Sequence, residues 1–126
     1  MMKNRDGIAQ LIRKYRQVVV MKTNEALFPL DYASGFVEEF SNLGELVIGV
    51  SGWRYVNKSN EWIAEIPGAD FALEEAFDWT KMSLSEAVVR QSKAIADYIE
   101  SATDNDIEFI SFVFNDPSVN DFFLND

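Results

Sequence analysis

The chain has 126 residues, enough for one domain (1–126) and too few for two independent cores, and 48% of them are hydrophobic, which excludes a disordered polymer. It contains neither cysteine nor histidine, so zinc fingers, iron–sulfur ligation, thiol nucleophiles and imidazole acid–base mechanisms are excluded. Eleven basic residues against 21 acidic ones give a net charge of −10, and a nucleic-acid surface must be basic, so no nucleic-acid partner is expected.

Along the chain, Ile8, Leu11, Ile12 and Tyr15 recur at helical spacing and predict a helix over 5–16. A valine-rich strand is expected over 17–23, then a connection over 24–30 holding Pro29. Asp31 is a candidate cap for a helix whose stripe is Tyr32, Phe36, Phe40 and Leu43, closed by Gly44. Residues 45–56 alternate as a strand, in which Gly49, Ser51 and Gly52 leave little side-chain relief and invite a bulge or a close approach. Residues 61–66 read as the returning strand of a hairpin. A short helix over 71–77 with Asp70 as its cap is expected next. A longer helix to about Ser101 follows, opened by the capping-box pair Ser83 and Glu86. Residues 107–114 are apolar on alternate positions of both faces and predict a central strand with helices on both sides. The terminal 119–126 segment is expected to dock Phe122, Phe123 or Leu124. This order, αβαββααβ, implies an α+β fold in which helices pack on a mixed sheet of about four strands.

The longest plainly apolar run is Val18–Met21, far short of a membrane span, so a cytoplasmic protein with no membrane partner is expected, its oligomeric state left open. Charge is unevenly placed. Residues 1–22 hold six bases and one acid, and Arg13, Lys14 and Arg16 fit the last turn of the first helix, where cations complement the dipole. Residues 61–78 and 94–126 contain no base and carry six and eight acids. Such runs make a field that attracts a cationic partner and repels polyanions. Aromatics beside acids fit an interface, with the rings as desolvated anchors and the carboxylates aligning a partner's cations. The candidate partner-binding set is therefore Glu61, Trp62, Glu65, Asp70, Glu74, Glu75, Asp78 and Trp79, with the acids from Asp97 to Glu108 in reserve. Trp53 is weighed beside Trp62 and Trp79 as an interface or core residue.

Two catalytic patterns are weaker. Gly49-Val50-Ser51-Gly52-Trp53 lacks the second glycine of a nucleophile elbow, and no histidine is present to serve as base. Asp104, Asp106 and Glu108 are spaced at two, so in extended backbone their carboxylates would share a side and could hold Mg²⁺ for a metal-assisted hydrolase or transferase. Solvated turn acids explain that spacing more simply. No cofactor is expected.

In length, acidity, base-free stretches and interleaved tryptophans, the chain resembles the small bacterial immunity proteins paired with contact-dependent growth-inhibition and other polymorphic toxins. The resemblance is one of profile and carries no motif. It implies a non-catalytic inhibitor that binds and neutralises a cognate basic toxin domain, commonly a nuclease, through an acidic surface.

Overall fold

The computed structural model describes residues 5–58, 61–103 and 105–124. Helix α1 (Arg5–Arg16) buries Ile8, Leu11, Ile12 and Tyr15, the stripe its spacing predicts. Strands β1 (Val20–Lys22) and β2 (Glu25–Pro29) form a tight hairpin and run into helix α2 (Leu30–Asn42). Strands β3 (Val47–Lys58), β4 (Glu61–Glu65) and β5 (Phe71–Ala72) follow, then 3-10 turns at Leu73–Glu75 and Trp79–Lys81. Helix α3 (Leu84–Thr103), strand β6 (Phe109–Phe114) and helix α4 (Val119–Leu124) complete an α+β architecture. No helix of the described residues is long and apolar enough to cross a membrane.

The strand order is β1-β2-β6-β3-β4, with β5 beside β3, and every pairing among the described residues is antiparallel. This corrects both the expected mixed sheet and the strand count. The 24–30 connection is in fact strand β2, which pairs with the central β6 through Phe28↔Ile110. Helix α2 is preceded by Pro29, and Asp31 lies inside its first turn instead of capping it. Gly44 does close it, at φ 78° with its amide donating to the Ser41 carbonyl at 2.9 Å.

The main core lies between the helices and one face of the sheet. Phe28, Phe36, Phe40, Phe112 and Phe114 pack there with ring centroids 4.5–6.3 Å apart, and α4 adds Val119 and Phe123. The opposite face of β6 is not covered by helices. The sheet curls instead, so that Leu27, Trp53, Ile63 and Phe109 from four strands bury one another. The Lys22 amine on β1 donates to the Ile63 carbonyl on β4, tying the two edge strands across that small core. A third cluster, Leu46, Leu73, Ala87 and Val88, fixes the first 3-10 turn against α3.

Candidate functional site

Strand β3 is regular neither against β6 nor against β4. Its pairing with β6 shifts between Val47 and Gly49, turning Ile48 out of the main core and toward Leu46 and Leu73, while Gly49 faces Val113. A methyl group built on Gly49 would sit 3.5 Å from the Val113 Cβ, so the missing side chain keeps the surface low here. Strand β5 pairs Ala72 with Gly49 and Phe71 with Val50 and forms one wall of the depression. The result is an open groove of about 420 Å³ whose apolar surface includes Gly49, Phe71, Trp79 and Val113, with Asp70 and Glu74 also lining it. Val113 is 52% exposed despite its place in the central strand.

The expected short helix over 71–77 is therefore a strand and a 3-10 turn, and Asp70 does not cap it. The carboxylate of Glu75 accepts the Ala72 amide at 2.7 Å and does that work. Asp78 is also committed locally, accepting the Thr80 hydroxyl at 2.6 Å and facing the Lys81 amine at 3.5 Å. Asp70, left to the groove, lies close enough to Glu65 to perturb its titration. Burial raises the Glu65 pKa above the usual glutamate range, and the charges of Asp70 and Glu25 push it further. Tyr98 is pushed up to about 12 by burial and then by Asp70, and its hydroxyl donates to the Ala69 carbonyl, anchoring the segment that presents Asp70.

Of the eight expected contacts, Asp70, Glu74 and Trp79 come together in the groove, with Glu65 near Asp70 at its side. Trp79 is half-buried and packs, with Ile48, Phe77 and Met82, against the cluster of Leu46, Leu73, Ala87 and Val88, so it serves the core and the groove together. Trp62 lies on β4 outside the groove, 71% exposed, and the Glu61 side chain is outside the described residues. Trp53 is sealed in the small core with its indole donating to the Ser111 hydroxyl at 2.9 Å. Val113 was not legible as a site residue, because an apolar run in a central strand reads as core; the only hint was the unadorned Gly49 elsewhere in the chain.

The backbone of the carboxylate triplet is not extended at its middle residue. Asp104 lies outside the described residues, Asp106 has φ 58°, which breaks the extended backbone the pattern requires, and Glu108 accepts the Tyr55 amide at 3.1 Å. Asp106 and Glu108 line a cleft of about 630 Å³ that already contains Arg54. Among the described residues no three acidic side chains are placed to hold a metal ion.

The groove can seat a long cationic side chain, its methylene stem against Trp79 and Val113 and its charged head toward Asp70 and Glu74. No protein-family model, curated protein or solved structure matches this chain.

Proposed function

We propose that this protein is a non-catalytic inhibitor that binds and neutralises a cognate basic toxin domain, with the groove over β3 and β5 as its docking centre. The observation that carries this reading is the convergence of Asp70, Glu74 and Trp79 on an exposed apolar floor in a molecule of net charge −10. A nuclease domain needs cationic side chains to hold phosphate, and a surface of carboxylates competes for the same groups. The wider acidic field speeds encounter, while the aromatic and aliphatic floor supplies the desolvated contact that holds the complex.

The test begins with a tagged chain captured from its native host and continues with association kinetics on the protein it retains. The expected partner is a basic domain. The pair Asp70→Lys and Glu74→Lys is expected to slow association by about tenfold or more and to flatten its salt dependence. A retained protein of acidic surface, or a rate the double substitution leaves unchanged, overturns the reading. Melting temperature is expected to be indifferent to Mg²⁺, Mn²⁺ and a chelator.

A further inference from the structure

Strands β6 and β5 pair with the same residues of β3 and so lie on its opposite edges, with Val113 on one side of Gly49 and Ala72 on the other. A methyl group built on Gly49 would meet Cβ and Cγ2 of Val113 at 3.5 Å and, from the β5 side, the Phe71 carbonyl oxygen at 3.6 Å, all ordinary contact distances. The floor of the groove therefore holds a slot one methyl group wide, with carbon on one flank and a hydrogen-bond acceptor on the other. A carbonyl oxygen has two lone pairs, so pairing within the sheet leaves the Phe71 oxygen able to accept from a ligand. The β5 wall is held in place. The Phe71 ring stacks on Tyr98 with centroids 5.7 Å apart, the Tyr98 hydroxyl donates to the Ala69 carbonyl, and Glu75 accepts the Ala72 amide at 2.7 Å. Exposed Asp70 and Glu74 stand at the rim, Trp79 lines the same groove, and no basic side chain lines it among the described residues.

We propose that this slot takes the guanidinium group of an arginine on the basic partner, and that the absence of a side chain at Gly49 is what admits it. A guanidinium is planar and weakly hydrated, and its five donors lie in one plane. One edge can enter the slot and donate to the Phe71 carbonyl while the other donors reach the carboxylates of Asp70 and Glu74, and its faces suit Val113 and Trp79. A lysine ammonium is no wider than a methyl group, but its donors radiate from a single nitrogen. In the slot it would leave the rim carboxylates behind and shed tightly held water against Val113; at the rim it would leave the slot empty. This assignment rests on the inhibitor reading for the source of the arginine, whereas the preference of the slot is a property of this chain alone.

The probes are N-acetyl-arginine amide and N-acetyl-lysine amide, blocked so that each carries only its side-chain charge, titrated at constant ionic strength into the full ¹⁵N-labelled chain. The arginine amide is expected to shift the Gly49, Ala72 and Val113 amide resonances saturably and to bind about fivefold or more tighter than the lysine amide. Free arginine, whose α-carboxylate would face Asp70 and Glu74, is expected to bind more weakly than the blocked form. Gly49→Ala fills the slot at ordinary contact distances and is expected to weaken arginine amide binding by about tenfold or more, with the melting temperature equal or raised. Val113→Ala widens the slot and is expected to narrow the preference for arginine over lysine. Equal affinity for the two amides, tighter binding of free arginine, or a Gly49→Ala chain that binds as the parent does overturns the proposal, as does a Val113→Ala chain with the parent's preference. Capture of an acidic protein overturns the inhibitor reading and leaves these titrations unchanged; a slot indifferent to blocked arginine fails even where the chain retains a basic domain.

Discussion

Gln91 is wholly buried, and its side chain replaces backbone pairing where the sheet becomes irregular. Its oxygen accepts the Val47 amide at 2.7 Å, and its nitrogen donates to the Glu45 carbonyl at 2.7 Å and the Ser41 hydroxyl at 2.9 Å. One residue of α3 thus pins the end of α2 and the start of β3, beside the bulge that turns Ile48 out. Gln91→Leu keeps the volume and strands two backbone groups, so urea unfolding is expected to show a loss of about 2–5 kcal/mol; a loss below 1 kcal/mol would mean that those groups find other partners. Gly52 marks a different constraint. A methyl there would lie 2.8 Å from the Ile107 Cδ1 and 3.1 Å from the Ala69 Cβ, so Gly52→Ala is expected to cost about 1–3 kcal/mol. Adding Ile107→Val removes the nearest atom, and the pair is expected to be less destabilised than the separate losses summed. Strict additivity in the double-mutant cycle would place the strain elsewhere. The sequence flagged Gly52 as a place of close approach but could not show what approaches, because Ile107 and Ala69 are distant in the chain.

Elements were legible where periodicity is long and local. Helix α1, the β3–β4 hairpin and helix α3 all lie close to their expected bounds, and Ser83 accepts the Glu86 amide at 3.2 Å as an N-cap should. The β1–β2 hairpin was not legible. Its two-residue loop is Thr23-Asn24, between the pair Lys22↔Glu25, and Thr23 sits at φ 55°, a conformation that a first loop position of this kind normally reserves for glycine. A β-branched residue there hides the turn from any rule built on preference and leaves the backbone strained. Thr23→Gly is therefore expected to stabilise the protein by about 1 kcal/mol, the relief of the left-handed backbone exceeding glycine's unfolded-state entropy. A fall in the thermal midpoint would show that the threonine side chain contributes more than its backbone costs. Residues 71–77 failed for the opposite reason: Phe71, Leu73 and Phe77 suit a helix by spacing, but pairing of Phe71 and Ala72 with β3 and burial of Leu73 beneath α3 prevail. That override also sorts the site. Asp70 and Glu74 face the groove and Glu75 caps the turn, a division that depends on 3-10 geometry the sequence did not disclose.

At the scale of the molecule, charge and folding are coupled through a few carboxylates that shift in opposite directions. Burial raises Glu45, assisted by Asp116, and burial with Asp70 and Glu25 raises Glu65. Both bind protons more tightly folded than unfolded, so their contribution is complete below the ordinary glutamate value of 4.5 and is lost as pH rises through their folded values. Glu39 moves down because it accepts hydrogen bonds from Lys14 at 2.6 Å and from Tyr15, and Asp116 moves down through its bonds to Ser118. Their contributions are complete above 4.5 and 3.8 and are lost as pH falls through the lowered values. Self-repulsion from the net charge of −10 at pH 7 acts in the same sense as the raised pair, since it declines toward the pI near 4.4. Together these terms place maximum stability close to pH 4.5, below the neutral range of most domains. Urea midpoints measured at low micromolar protein, to limit association near zero net charge, are expected to rise from pH 7 toward pH 4.5 and fall again toward pH 3. Glu65→Gln is expected to lift the pH 7 midpoint toward the parent's maximum and to leave the pH 4.5 value nearly unchanged. A midpoint highest at neutral pH, or equal gains from this substitution at both pH values, would show that Glu65 is not held in a proton-retaining contact with Asp70.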